Sequence, residues 1–170
     1  FKEQATLLLK ENPNAVVFAP IFKEEALVFT KELDLRNIPF ILFDSNLEEE
    51  NNSIAYIGHD SFQSGIVAAK LIHRQIKSSR NILMLNLVLN LKDLNHLSER
   101  SNGFRSYFAN KNRKGALIEL NLHDLDEKII ESRLTQTLKD VSKIKAIFAT
   151  NSRVHLVAKY LEKHQLDQKI

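Results

Sequence analysis

Three polar side chains of this sequence stand where apolar runs end or a helix begins. Asp44 follows the run at 40–43, and Asn151 follows the run at 146–149. Arg100 lies where a helix is predicted to begin. In open α/β sheets, ligands bind at the carboxyl ends of the parallel strands. A carboxylate accepts hydrogen bonds, a guanidinium donates them and an amide does both, so the sequence predicts reversible binding of a small polar molecule.

Each of these residues also has a purely structural interpretation. Asp44 could cap a turn, and Asn151 could cap the helix predicted to begin near Ser152. Arg100 could be exposed or paired with Glu99, although the helix dipole disfavours a cation in the first turn of a helix. In the ligand-binding interpretation, the planar guanidinium of Arg100 donates several hydrogen bonds to hydroxyl groups or to a carboxylate of the ligand. The residues themselves leave these alternatives open.

The histidines and glycines give little support to catalysis. None of the six histidines forms a pair spaced by four residues or an HExxH motif, so no metal site is predicted. His96 leads into Arg100 and is a fourth candidate for the ligand site, with solvent exposure as its alternative. GxSxG, GxGxxG and P-loop motifs are missing from the sequence. We expect a binding protein without a cofactor; a hydrolase or transferase using His59 and His96 is the minority alternative.

Composition narrows the class of protein further. A chain of 170 residues, 44% of them hydrophobic, can bury a core. Its 24 basic and 21 acidic residues are spread along the sequence, so nucleic acid is not a predicted partner of these residues. No apolar run approaches the roughly 20 residues of a membrane span, and we expect no membrane association. The start at Phe1 instead of Met and the end at Ile170 lead us to expect a fragment.

Strand and helix patterns alternate along the whole chain, which predicts an α/β fold with right-handed crossovers. The continuous apolar run at 15–19 is typical of a strand buried on both faces of a parallel sheet. Residues 77–80 form the one plausible break, so we assign 1–77 to an N-terminal lobe and 78–170 to a C-terminal lobe. The predicted strands are 15–19, 40–43, 54–57, 81–86, 116–122 and 144–149, and the predicted helices are 2–11, 23–36, 62–76, 96–111, 126–139 and 152–164.

Five ordered segments of the sequence together resemble the effector-binding domain of lac repressor family transcriptional regulators. The related periplasmic sugar-binding proteins share them. The resemblance spans residues 13 to about 164. The segments are IPFILFD at 38–44, IGHD at 57–60, SGIVAA at 64–69, RSNGF at 100–104 and IFATNS at 147–152.

The resemblance implies a periplasmic-binding-protein-like fold, in which two doubly wound parallel-sheet lobes hold a ligand in the cleft between them. Positions matching Asp44, Arg100 and Asn151 contact ligand in that family. It further implies a cytoplasmic homodimer that binds a sugar or sugar derivative, and ligand-driven lobe closure that changes operator affinity. Operator DNA would be contacted only by a helix-turn-helix domain that this sequence does not include. The alternative is a periplasmic sugar-binding protein of a transport or sensing system.

Overall fold

Helices and strands alternate from one end of the chain to the other, as the apolar pattern predicts. A computed structural model describes residues 1–47, 51–88, 95–109, 111–124, 126–140, 142–167 and 169–170. All twelve predicted elements form, with small shifts at their ends. They are α1 (Lys2–Lys10), β1 (Val16–Phe18), α2 (Lys23–Leu35), β2 (Phe40–Phe43), β3 (Ala55–Ile57), α3 (Ser61–Gln75), β4 (Asn81–Leu87), α4 (Asn95–Ala109), β5 (Leu117–Leu122), α5 (Glu127–Thr137), β6 (Ile144–Ala149) and α6 (Val154–Lys163).

The contacts divide the chain into two compact units. The first comprises Phe1–Asp60 with Asn95 and His96, and the second comprises the other described residues from Ser61 onward. Helix α3 was predicted in the lobe 1–77, but its contacts lie in the second unit, where Ala69 packs with residues of β4 and α4. The lobe limits in the whole protein stay a prediction. Among the described residues, no helix combines the length and apolarity needed to cross a membrane.

The first unit contains a parallel sheet with the strand order β1-β2-β3. Helices α1 and α2 pack on one face of it through Leu9, Phe29 and Leu33. The other face is not covered in the same way, because Val17, in the middle of β1, is 64% exposed. The expectation that the run at 15–19 is buried on both faces is therefore wrong for this chain. Its physical reason is that both helices of this unit lie on the same side of the sheet.

The second unit contains a parallel sheet with the order β5-β4-β6, and β4 lies in its centre. Ile82 and Met84 of β4 face a cluster that α3 and α4 complete with Ala69, Phe104 and Phe108. Leu83, Leu85 and Leu87 face the opposite cluster, which α5 and α6 complete. Helices thus cover both faces, and β4 is buried on both. The predicted α/β architecture with parallel strands is confirmed.

Candidate functional site

Polar side chains gather at the carboxyl ends of the strands in the second unit. Asn86 near the end of β4 is paired in register with Asn121 of β5. Thr150 and Asn151 follow β6 directly, and the Thr150 amide donates to the carbonyl of Leu85 in β4. Parallel strands bring their carboxyl ends to one edge of the sheet, which we call the strand-end edge. These residues therefore lie close together there, although they are far apart in sequence.

Arg100 lies on α4 and reaches both α3 and the end of β6. Its Nε donates to Ser64 Oγ at 3.0 Å, and its Nη1 donates to the backbone carbonyl oxygen of Thr150. The side chain is half-buried. A half-buried side chain with these contacts differs from the fully exposed arginine among the sequence alternatives. The contacts fix the guanidinium at the strand-end edge, at the carbonyl of Thr150, which directly precedes Asn151 in sequence.

Asn151 is held by the turn between β6 and α6. Its Oδ1 accepts from the backbone N–H of Arg153 at 3.1 Å, and its Nδ2 donates to the carbonyl of Leu87 at 3.0 Å. The N-cap residue of α6 is Arg153, which has no side-chain cap bond, so Asn151 closes the turn before the helix and does not cap it. An amide has two donor hydrogens and two acceptor lone pairs. Each of the two bonds uses one of them, so closing the turn and binding a ligand are chemically compatible.

The sequence analysis missed Asn86, whose side chain is fully buried at this edge. Its Oδ1 accepts from Thr150 Oγ1 at 2.9 Å and from Ser101 Oγ at 3.0 Å. Its Nδ2 donates to Asn121 Oδ1 at 2.7 Å. The signal that could have found it is a single amide inside an otherwise apolar strand. Burying an amide is unfavourable unless its hydrogen bonds are made, so such a residue has partners.

Asp44 lies at the equivalent edge of the sheet in the first unit. Its backbone follows β2 in a left-handed conformation with φ of 61°, and its N–H donates to the carbonyl of Ile57 at 2.9 Å. The carboxylate is 58% exposed, and its Oδ1 lies 4.0 Å from Nδ1 of His59. Asp44 therefore presents acceptor oxygens to solvent from a turn that pairing with β3 fixes.

Tyr56 supports the turn that carries Asp44. Its hydroxyl lies 3.1 Å from the carbonyl oxygen of Asp44 and 3.3 Å from that of His59. Burial raises the pKa of the Tyr56 phenol, and the negative charges of Asp44 and Asp60 raise it further. The phenol is therefore neutral at physiological pH and can donate its proton to one of the two carbonyls.

His96 lies in the first turn of α4 and is half-buried. Of the four candidates, Arg100 and Asn151 are brought together at one edge of one sheet, Arg100 through the carbonyl of Thr150 after β6 and Asn151 through the carbonyl of Leu87 in β4. Asp44 and His96 belong to the first unit. Among the described residues, no cluster of histidine and carboxylate side chains could hold a metal ion. Carboxylate, guanidinium and amide groups can bind hydroxyl groups by hydrogen bonds.

Comparisons with known proteins place the chain among binding domains. A sequence model described as periplasmic binding protein domain matches residues 1–170. No curated protein matches the sequence significantly.

Three solved structures show the similarity of fold. A protein assigned as a LacI transcriptional regulator from Bacteroides fragilis is 26% identical, with a TM-score of 0.82 over 97% of this chain and 57% of its own. A glucose-galactose binding protein from Geobacillus stearothermophilus is 16% identical, with a TM-score of 0.82 over 99% of this chain and 59% of its own. A solute-binding protein from Burkholderia graminis, in complex with D-arabinose, is 18% identical, with a TM-score of 0.82 over 98% and 56%. The chain thus spans less than two thirds of the length of each.

Proposed function

Since the chain belongs to the periplasmic binding protein domain family and has its α/β fold with parallel sheets, we propose that it binds a sugar or a similar small polar ligand reversibly. The observation that carries the proposal is the position of Arg100 and Asn151 at the strand-end edge of the second unit. Both are anchored there by backbone carbonyls, Arg100 by that of Thr150 and Asn151 by that of Leu87. The proposal is for binding without chemical conversion of the ligand.

Each candidate residue receives a distinct role in this proposal. The guanidinium of Arg100 donates hydrogen bonds to ligand hydroxyl or ring oxygens, because its fork can contact two acceptors together. The amide of Asn151 both donates to and accepts from a hydroxyl. The carboxylate of Asp44 accepts from a pair of hydroxyls, and His96 supplies a further polar contact. No cofactor takes part.

In the full-length protein, we propose that this domain is the effector-binding and dimerisation part of a bacterial transcription regulator in the cytoplasm. Effector binding then changes the affinity of a homodimer for operator DNA, which a helix-turn-helix domain contacts. The relative from Bacteroides fragilis, assigned as a LacI transcriptional regulator, supports this choice. The second candidate is a periplasmic sugar-binding protein, which the glucose-galactose and D-arabinose relatives favour.

Titration calorimetry with the full-length protein tests sugar binding. The probes are D-glucose, D-galactose, D-fructose and D-arabinose. We expect at least one to bind and the Arg100→Lys variant to bind it about tenfold to a hundredfold more weakly, because hydrogen bonds to a charged group are worth about 1.5–3 kcal/mol. Arg105→Lys is the matched control, since Arg105 lies on the same helix and pairs with Glu119. The binding proposal fails if no probe binds, and the assignment of Arg100 to the site fails if Arg100→Lys binds like the parent.

A gel-shift experiment separates the two candidate roles. The DNA is the region upstream of the gene that encodes the full-length protein. A regulator binds this DNA, and the sugar identified by calorimetry changes the fraction bound. Sugar binding with no DNA binding at low salt, where phosphate contacts are strongest, supports the periplasmic role instead.

A further inference from the structure

We propose that Asn86 is a positioning residue that holds Arg100 and Asn151 in fixed positions for ligand binding. This inference rests on the proposed function. Asn86 lies in β4, between Leu85 and Leu87 of the core, and its side chain is 0% exposed. A leucine would fill the same place without an amide to satisfy. The amide therefore needs an explanation in terms of what it holds.

The amide oxygen of Asn86 connects the two residues next to the ligand candidates. It accepts from Ser101 Oγ at 3.0 Å, and the same hydroxyl lies 2.9 Å from the carbonyl of Leu97; Ser101 directly follows Arg100 on α4. It also accepts from Thr150 Oγ1 at 2.9 Å, and Thr150 directly precedes Asn151. Both hydroxyl residues are themselves buried, at 0% and 1% exposure. One oxygen atom thus connects the middle of α4 to the end of β6.

Thr150 is held from two sides, which extends the effect of Asn86 to the guanidinium. Its hydroxyl lies 2.9 Å from Asn86 Oδ1 but 3.4 Å from the carbonyl of Leu85, so the amide is its nearer acceptor. Its own carbonyl oxygen accepts from Nη1 of Arg100. If Asn86 no longer holds the hydroxyl, Thr150 can shift and the acceptor of Arg100 shifts with it.

The orientation of the Asn86 amide is fixed from the opposite side. Its Nδ2 donates to Asn121 Oδ1 at 2.7 Å, and Asn121 lies exposed on β5 in register with Asn86. This bond directs the amide nitrogen toward β5, and the oxygen toward Ser101 and Thr150. A connected polar network of this kind favours one arrangement of its members over others. The ligand-binding edge therefore has its acceptor and donors set before a ligand arrives.

The test separates positioning from a contribution to stability. Asn86→Leu alone removes the acceptor that Ser101 and Thr150 share and leaves their hydroxyls only the backbone carbonyls of Leu97 and Leu85, so it is expected to destabilise the protein. In the triple variant Asn86→Leu, Ser101→Ala and Thr150→Val, all three polar partners are removed together, which is close to neutral for stability. We measure solvent exchange of the Arg100 Nε–H by NMR in full-length protein labelled with 15N-arginine, without ligand. Exchange about tenfold or more faster than in the parent is expected, at a similar melting temperature.

Two further variants keep the measurement interpretable. Thr150→Val alone is isosteric and removes one donor to Asn86, so it reports on the network even if the triple variant does not fold; a smaller acceleration of exchange is expected. Thr135→Val is the control, because it removes a contact to the hydroxyl of Tyr160, 3.0 Å away, in the part of the unit formed by α5 and α6. This control should leave the exchange of Arg100 unchanged. Unchanged exchange in both the triple variant and Thr150→Val overturns the proposal.

The exchange experiment is independent of sugar binding, so the two proposals can fail separately. If the parent binds no sugar, the proposed function fails while the exchange rates still decide whether Asn86 holds Arg100. If the parent binds one of the four probe sugars, the triple variant should bind it about tenfold more weakly by calorimetry. Faster exchange with unchanged sugar affinity overturns the positioning role.

Discussion

Gly65 of α3 lies directly against the backbone carbonyl of Arg100 on α4. A methyl group at position 65 would overlap with that oxygen and would lie 2.8 Å from the amide nitrogen of Phe104. A few residues further along α4, Gly103 makes the reciprocal approach to the carbonyl of Phe62. The backbones of the two helices are therefore in direct contact. This contact fixes the position of Arg100 relative to the carboxyl ends of the strands.

Substitution of Gly65 by alanine should destabilise the second unit. In an open helix, Gly→Ala stabilises by about 1 kcal/mol through helix propensity. At position 65 the overlap with the carbonyl of Arg100 opposes this gain at a cost of about 3 kcal/mol, so a net loss of about 2 kcal/mol is expected. Urea unfolding measures the change. Lys70→Ala, at an exposed position of the same helix, should change stability by less than about 0.5 kcal/mol; equal effects at the two positions would contradict the steric argument.

Two substitutions of Asp44 separate the effect of its charge on sugar binding from the effect of its backbone conformation on stability. Its φ of 61° is tolerated by Asn but strained for Ala. Asp44→Asn should therefore leave the free energy of unfolding nearly unchanged, and Asp44→Ala should lower it by about 1 kcal/mol. Both variants should bind sugar more weakly, because both lose the carboxylate. Urea unfolding and calorimetry on the same samples check the two effects, and a sugar affinity retained by Asp44→Asn would remove Asp44 from the site.

The two hydrogen bonds of the Asn151 side chain should contribute separately to the stability of the protein. Asp at this position keeps the acceptor for the N–H of Arg153 but loses the donor to Leu87, and Ala loses both. We expect Asn151→Asp to cost about 1 kcal/mol of stability and Asn151→Ala about 2 kcal/mol. Denaturant unfolding of the three proteins measures the difference. If the two variants were equally stable, the bond from the Arg153 N–H to Asn151 would not stabilise the turn before α6.

The stability of the second unit should depend on pH through Glu131 of α5. Hydrogen bonds from Lys163 and His164 lower the pKa of the Glu131 carboxyl below its ordinary value of 4.5. A lowered folded-state pKa means that this group stabilises the fold above its unfolded pKa, and that the contribution is lost as pH falls through the folded value. The stability difference between the parent and Glu131→Gln should therefore be present near about pH 7 and decrease as the pH falls below 4.5. Thermal unfolding at a series of pH values on both sides of 4.5 checks this.

The control for this pH dependence is Glu127→Gln, which also removes one exposed carboxylate from α5. Its oxygen lies 3.9 Å from Lys159, against 2.8 Å between Glu131 and Lys163. A pH dependence of the same size in both variants would assign the effect to overall charge instead of the Glu131 contacts.

Local patterns predicted the elements of this fold well, because strand and helix signals lie within a few neighbouring residues. The run at 40–43 and the helix of residues 61–75 illustrate this. Burial of β1 was predicted wrongly, since which side of a sheet the helices cover depends on the path of the whole chain. The packing of α3 likewise depends on distant parts of the chain, since its partners on α4 lie far away in sequence.

The candidate site was predictable in position but not in contacts. Asn151 and Asp44 follow strands, which sequence patterns locate. The partners of Arg100 could not be predicted, because Ser64 and Thr150 lie 36 and 50 residues away along the chain. Asn86 was missed because an amide in an apolar run indicates a buried, hydrogen-bonded group only where the strand is covered on both faces, and that depends on the path of the whole chain.

The left-handed backbone of Asp44 limits how this binding edge can change during evolution. Only Asn, Asp and Gly adopt such a conformation readily. Drift at position 44 is therefore biased toward residues that offer a carboxylate, an amide or no side chain at all. A descendant that adapts to a ligand of different charge can convert Asp44 to Asn at little cost, whereas a cationic or bulky apolar group there also costs about 1–2 kcal/mol of backbone strain.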